Sequence, residues 1–308
     1  MWFKNLQLYR FSKPFELSAE DLEAQLEQHP FKPCGSQELS SYGWVPPLGR
    51  HGSQLVHATN GYYLLCARKQ EKVLPAAVVR EVVEEKVEEI ESQQSRPVRR
   101  KEKESIREEV MLDMLPRAFT HSRITYAYIS PKEGLLVVDA SSPSRAEELL
   151  GHLRQSLLSL PVVPLTVNIS PASVMTQWVS GAQVPADFVL EDACELRDPD
   201  AQGGIVRCQR QDLSADEIQE HIKAGKQVVK LAVCWDETLS CVLGEDLSIK
   251  RLRFSDVMQE KRDQTSTEDA ATRLDADFAL MTLEFSRFVP RLLDIFGGEN
   301  VDALGVLP

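Results

Sequence analysis

Residues 76–116 constrain the fold of this 308-residue chain more than any other stretch. From Ala76 to Glu91 the apolar positions Val79, Val83, Val87 and Ile90 are spaced four, four and three apart. That spacing predicts a helix with one apolar stripe and a highly charged opposite face. Ser95-Arg-Pro97 interrupts the pattern. A second stripe follows at Ile106, Val110 and Met114, with Met111 and Leu115 beside it, and it ends at Pro116. Two amphipathic helices joined by a basic turn make an αα-hairpin. Such a hairpin has little core of its own. It must lean on the rest of the chain or pair with a second copy.

Strand signals lie on both sides of the hairpin. Residues 2–12 read as a strand, and Ser18-Ala-Glu-Asp21 opens a helix carrying Leu22 and Leu26 that stops near Pro30. Gly43-Trp-Val-Pro-Pro-Leu-Gly49 reads as a loop, and residues 53–59 and 62–68 read as a β-hairpin around Asn60-Gly61. Past the helices, Ile124, Tyr126 and Tyr128 alternate along a strand, and Leu135–Val138 is a buried one. A helix runs from Ala146 to Leu160, and Pro161–Leu165 leads into a further strand. The C-terminal half reads as strands at 205–210, 227–235, 239–243 and 248–254 with a helix from Ser214 to about Ala224. Residues 259–270 are polar and loop-like, and a last helix spans roughly 273–296. Its Phe278, Met281, Phe285, Phe288, Leu292 and Ile295 alternate three and four apart, a coiled-coil-like seam. Pro290 is a potential kink, and Gly297-Gly298 ends the helix. The fold class is α+β.

Several function classes drop out. There is no P-loop, dinucleotide turn, G-x-S-x-G elbow or H-E-x-x-H, so no cofactor is expected. No run of 18 apolar residues exists, and the chain starts directly in strand-like sequence, so the expectation is a soluble cytoplasmic protein without a membrane partner. The six cysteines form no close pair and read as reduced core thiols. The six histidines lack ligand spacing. A formal net charge of −12 argues, taken alone, against a nucleic-acid binder.

The distribution of charge argues the other way. Residues 96–103 hold Arg96, Arg99, Arg100, Lys101 and Lys103 against Glu102 alone, whereas residues 80–91 are strongly acidic. Cations gathered at a hairpin tip can follow a phosphate backbone, although a solvated turn has the same composition. Directly after the second helix, Leu115-Pro-Arg-Ala-Phe119 sets Arg117 and Phe119 two apart at a strand start. On an extended chain they share a side, where a cation grips phosphate and a ring meets sugar or base; the alternative is that Phe119 is core. Arg210 and Gln211 close a strand, with Gln209 and Gln211 on one face. Lys223, Lys226 and Lys230, then Lys250, Arg251 and Arg253, add further donors. A competing reading is a Mg²⁺-dependent nuclease built on Asp275 and Asp277 with Glu284 downstream. Its alternative is two acids in the first turn of the last helix, favoured there by the helix dipole.

At Leu115-Pro-Arg-Ala-Phe119 the chain resembles RdgC, the bacterial recombination-associated family. The resemblance extends through Trp2-Phe-Lys-Asn-Leu6, Pro33-Cys-Gly-Ser-Gln37, Gly43-Trp-Val-Pro-Pro47 and Cys66-Ala-Arg-Lys69. It continues in Leu160-Pro-Val-Val-Pro-Leu165, Gln211-Asp-Leu213 and Asp275-Ala-Asp-Phe278, and so covers nearly the whole chain. It implies a nucleoid-associated, non-enzymatic protein that binds DNA, duplex and also single-stranded, without sequence preference. It implies a horseshoe monomer closing into a ring-shaped homodimer that encircles duplex and limits RecA-promoted recombination. The central part would be residues 1–75 with 117–170, the tip 76–116 and the base 171–308. The DNA contacts would fall on Arg96 near the tip, with Arg99, Arg100 and Lys101 as its basic neighbours, on Arg117 and Phe119, and on Arg210 and Gln211. The tail 301–308 carries no assigned role. Ring closure needs two isologous contacts, for which the hairpin stripe and the last helix are the expected apolar patches.

Overall fold

The structure, a computed structural model, describes residues 2–200, 203–264 and 269–301. Among these residues the strands form a seven-stranded and a five-stranded sheet, antiparallel throughout. The first holds β1 (Gln7–Phe11), β2 (Ser40–Trp44), β3 (Val56–Thr59), β4 (Tyr62–Val73), β5 (Phe119–Ser130), β6 (Leu135–Val138) and β7 (Val162–Pro164), in the order β2-β4-β5-β6-β1-β7 with β3 also on β4. Helices α1 (Ala19–Leu26), α2 (Ala76–Gln94), α3 (Arg100–Met114) and α4 (Pro143–Leu157) belong to the same half of the chain. The second sheet holds β8 (Phe188–Arg197), β9 (Ile205–Gln209), β10 (Gln227–Trp235), β11 (Leu239–Gly244) and β12 (Ile249–Phe254), in the order β12-β11-β10-β8-β9. It comes with α5 (Pro171–Val179), α6 (Asp216–Lys223), α7 (Asp256–Gln264) and α8 (Ala270–Ile295). The α+β class and the helical hairpin follow the sequence reading. Among the described residues no helix is long and apolar enough to cross a membrane.

One face of the first sheet packs Leu65, Ala127, Leu136 and Val138 against Leu22 and Leu26 of α1 and Leu149, Leu150 and Leu153 of α4. The other face shares one core with the second sheet and α8. Helix α8 is anchored by its N-cap Asp269, which accepts from the Thr272 amide at 3.0 Å. Its rings touch both sheets. Phe285 stacks on Tyr128 of β5 with centroids 6.4 Å apart, and lies 5.9 Å from Phe254 of β12. Phe288 lies 5.2 Å from Trp235 of β10. Backbone bonds between Leu6 and Ile249 at 2.7 and 3.1 Å tie the N-terminal segment to the edge of the second sheet.

This packing corrects the expectation that the seam of the last helix is a free patch. Phe278, Met281, Phe285, Phe288 and Leu292 are buried within the chain itself. The hairpin stripe is likewise closed: Val79 and Val83 pack on Ile106 and Val110, with Val87, Ile90 and Met114 partly covered. Lys86 of α2 bonds Glu109 and Asp113 of α3 at 3.3 and 3.4 Å across that seam. Val78 and Leu112 are the exposed large apolar residues among the described ones of the hairpin.

Other boundaries moved for local reasons. Asn60 and Gly61 both take positive φ, 52° and 81°, as a tight hairpin turn demands. Gly43 lies inside a strand, not a loop: β2 passes so close to Phe31 that a Cβ there would stand 2.3 Å from its Cα. Residues 259–264, expected as loop, continue α7. The rest of the expected loop up to 268, and the tail 302–308, lie outside the described residues. The cysteines are free thiols, and burial pushes those of Cys66 and Cys194 up to about 12.

Candidate nucleic-acid interface

The basic run occupies the bend between α2 and α3. Ser95 takes φ 49° and reverses the chain, and the amide of Val98 is held by Glu91 at 2.7 Å. Glu102 takes Arg96 in a two-pronged pair at 2.8 and 2.6 Å, so Arg96 is partly neutralised. Arg99, which caps α3, and Lys101 are exposed, as is Arg100, whose side chain is 94% exposed and 3.6 Å from Glu104. The acidic residues lie along the helices, so the bend itself carries surplus positive charge.

The hairpin returns to the sheet through a 3-10 turn, Leu115–Arg117, and β5 begins at Phe119. Arg117 therefore closes a helical turn, and the rule that residues two apart share a side of a strand does not apply to this pair. Both side chains are nonetheless exposed. Phe119 is 85% exposed, which removes the reading of it as core. Its cross-strand partner is Val73, itself 46% exposed.

Strand alternation adds residues that the sequence reading passed over. His121 and Arg123 share the face of Phe119 and are exposed. Arg145 of α4 donates to the Ile124 carbonyl at 2.6 Å and to Thr125 at 3.1 Å, beside Arg123. Burial, and then the charge of Arg123, lower the Arg145 pKa from its ordinary value. The signal in the sequence was the alternation His121-Ser-Arg123 inside a strand longer than expected.

Arg210 and Gln211 follow β9 on the other sheet. Arg210 takes φ 56°, so the strand has ended and Gln209 and Gln211 do not share a strand face. The Gln211 amide bonds the Asp192 carbonyl at 3.2 Å, and both side chains edge a shallow depression with Trp178 and Leu190. Arg117 and Phe119 are thus exposed neighbours along the chain at the root of the hairpin, and the other stations lie on other elements. Helix α3, 15 residues long, separates the bend from Arg117 by roughly 22 Å. Stations this dispersed suit an extended polyanion and not a small ligand.

The proposed acidic pair gains no common site. Asp275 and Asp277 lie past the first turn of α8, and two residues on a helix point to nearly opposite sides. The Asp275 carboxylate is bound by Thr59 and lies 3.2 Å from His57, pinning β3 to the helix. Asp277 is buried, and Glu284 pairs with Arg287 at 3.3 Å. Among the described residues no three His, Cys, Asp or Glu side chains gather as metal ligands.

Fold and surface together define a mixed α/β protein with a protruding basic hairpin and an exposed aromatic at its root. A family model described as "Putative exonuclease, RdgC" matches residues 1–299. The chain is 53% identical over 300 residues to the recombination-associated protein RdgC of Aeromonas hydrophila, covering 97% of this chain and 99% of that one. It is 51% identical over 302 residues to the protein of the same name from Tolumonas auensis, covering 98% and 100%. With that of Pseudomonas aeruginosa it shares 46% over 302 residues, covering 98% and 99%. The chain belongs to the RdgC family.

Proposed function

We propose that this protein binds DNA without sequence preference and acts through occupancy, without catalysis. The observation that carries the reading is Phe119, a ring 85% exposed at the root of a hairpin, with Arg117 two residues before it. An uncovered aromatic beside cations is a stacking and phosphate platform. On this reading Arg96, Arg99, Arg100 and Lys101 grip phosphates at the tip, and Arg210 and Gln211 grip them from the base.

Two copies close into a ring around duplex, with residues 1–75 and 117–170 as centre, 76–116 as tip and 171–308 as base. The acidic remainder of the surface keeps the protein soluble in the cytoplasm and limits stray association, while the basic stations line the hole in the nucleoid. Coated duplex is unavailable for pairing, which limits RecA-promoted recombination. The exonuclease wording of the family description has no support in the Asp275–Asp277 geometry.

Retention on a covalently closed plasmid tests this against the same plasmid linearised. A ring loaded at low salt and then challenged with high salt stays on the circle and slides off the linear form. Equal loss from both overturns encirclement. No binding to either at low salt overturns the DNA reading.

A further inference from the structure

The outward face of the second sheet carries a cluster of cations outside the tip, the Phe119 segment and Arg210–Gln211. Arg207 of β9, Lys230 of β10 and Lys250 and Arg251 of β12 border one shallow depression of about 280 Å³. Glu195 of β8 also lines it, its side chain 9% exposed. It bonds Arg207 at 2.9 Å and Lys230 at 2.9 and 3.0 Å. The register sets Arg207, Glu195 and Lys230 directly opposite one another across three strands.

Two irregularities in the strands put these charges there. Between Val228 and Lys230 the register with β8 shifts, so that Val228 and Leu231 both face the core while Lys230 turns outward. A second shift lies between β11 and β12, where Ser240 and Val242 pair with Arg253 and Lys250. The extra residue is accommodated at Arg251, with φ 53°, and consecutive Lys250 and Arg251 reach the same depression. A regular strand would send them to opposite faces. Bulges re-aim side chains in this way beside functional surfaces.

We infer that this sheet face is a second phosphate-binding surface, on which Arg207, Lys230, Lys250 and Arg251 hold the sugar–phosphate backbone of nucleic acid. The inference rests on the DNA reading above and extends it to residues outside the tip, the Phe119 segment and Arg210–Gln211. Four cations face one carboxylate, and Lys250 and Arg251 enter no ion pair among the described residues. The four strand spacings from β9 to β12 span roughly 19 Å. That is the rise of five or six nucleotides of one strand at about 3.4 Å each. Among the described residues no aromatic side chain borders the depression, so those residues offer bases nothing to stack on and carry no sequence information. Gln209, which also borders the depression, stands one residue before Arg210 in the chain.

The test is a titration of a labelled duplex by full-length protein across a range of salt concentrations, with Lys250→Gln/Arg251→Gln beside the unsubstituted chain. Expected is weaker binding and a log–log salt slope shallower by about two for each copy bound, with the circular dichroism spectrum and melting temperature unchanged. Glu195→Gln, which removes the neutralising carboxylate, is expected to bind tighter with a steeper slope. An unchanged slope in both variants, on a parent that binds DNA, overturns the sheet-face surface and leaves the DNA reading standing. A parent that fails to bind duplex even at about 0.05 M salt overturns both.

Discussion

Val73 and Phe119 stand directly opposite each other as the last registered pair of the β4–β5 ladder, one 46% and the other 85% exposed. An apolar cross-strand pair at the end of a sheet, left open to water, has no role in the chain's own core. Phe119→Ala should therefore leave the melting temperature nearly unchanged while weakening DNA binding by about 1–3 kcal/mol, the usual cost of losing one stacking platform. Normal affinity in the folded variant would remove Phe119 from the interface.

On the proposed function, the bend between α2 and α3 contributes through charge alone. Arg99→Gln/Arg100→Gln/Lys101→Gln should reduce the salt slope of DNA binding by about three for each copy bound, one per phosphate contact, and weaken all duplexes alike. A change in sequence preference instead of slope would contradict phosphate-only contact.

Helix α8 belongs to the shared core, and the hairpin keeps a small cluster of its own. Phe285, fully buried between Tyr128 and Phe254, should cost about 3–5 kcal/mol on truncation to Ala in urea unfolding. Ile106→Val in the hairpin should cost only about 0.5–1.5 kcal/mol. A loss below about 1 kcal/mol at Phe285 would contradict its place in the shared core.

Acid should weaken the ion pairs that flank and cross the second sheet. Hydrogen bonds from Arg291 hold Asp187 down at about 2. At Glu195 burial acts upward, but Arg207 and Lys230 outweigh it and bring the group to about 2. Both carboxylates are therefore more acidic folded than unfolded, and their stabilisation is complete above the ordinary carboxylate range near 4. It declines as pH falls from there toward about 2. Denaturant midpoints between pH 7 and pH 2 should follow that course, and Arg291→Gln should flatten part of the fall. A midpoint independent of pH below 4 would refute the pairing.

The hairpin was legible in the sequence because Val79, Val83, Ile106 and Val110 repeat at helical spacing and nothing else competes for them. Strand β8 was not, because it is bulged against β10 and its exposed Val189 and buried Glu195 invert the usual pattern. Helix α7 escaped for lack of an apolar stripe; Met258 is its buried anchor. Among the site residues, Arg99, Arg100 and Lys101 were readable as a run of like charge. The exposure of Phe119 was not, since an apolar residue at a strand start is core or surface according to what the sheet places over it. Lys230 was visible as a donor, but its face depended on a one-residue shift in register.

The central claim is tested most directly by equilibrium binding of a labelled duplex of about 30 base pairs, longer than the ~20–21 base pairs of two helical turns, followed by fluorescence anisotropy at several salt concentrations without divalent metal. The account predicts binding that unrelated duplexes compete for equally and that single strands also displace. With at least about six phosphates neutralised across the two copies, the log–log salt slope should be about −5 or steeper. Absence of binding at low salt, or shortening of the DNA once Mg²⁺ is added, would contradict it.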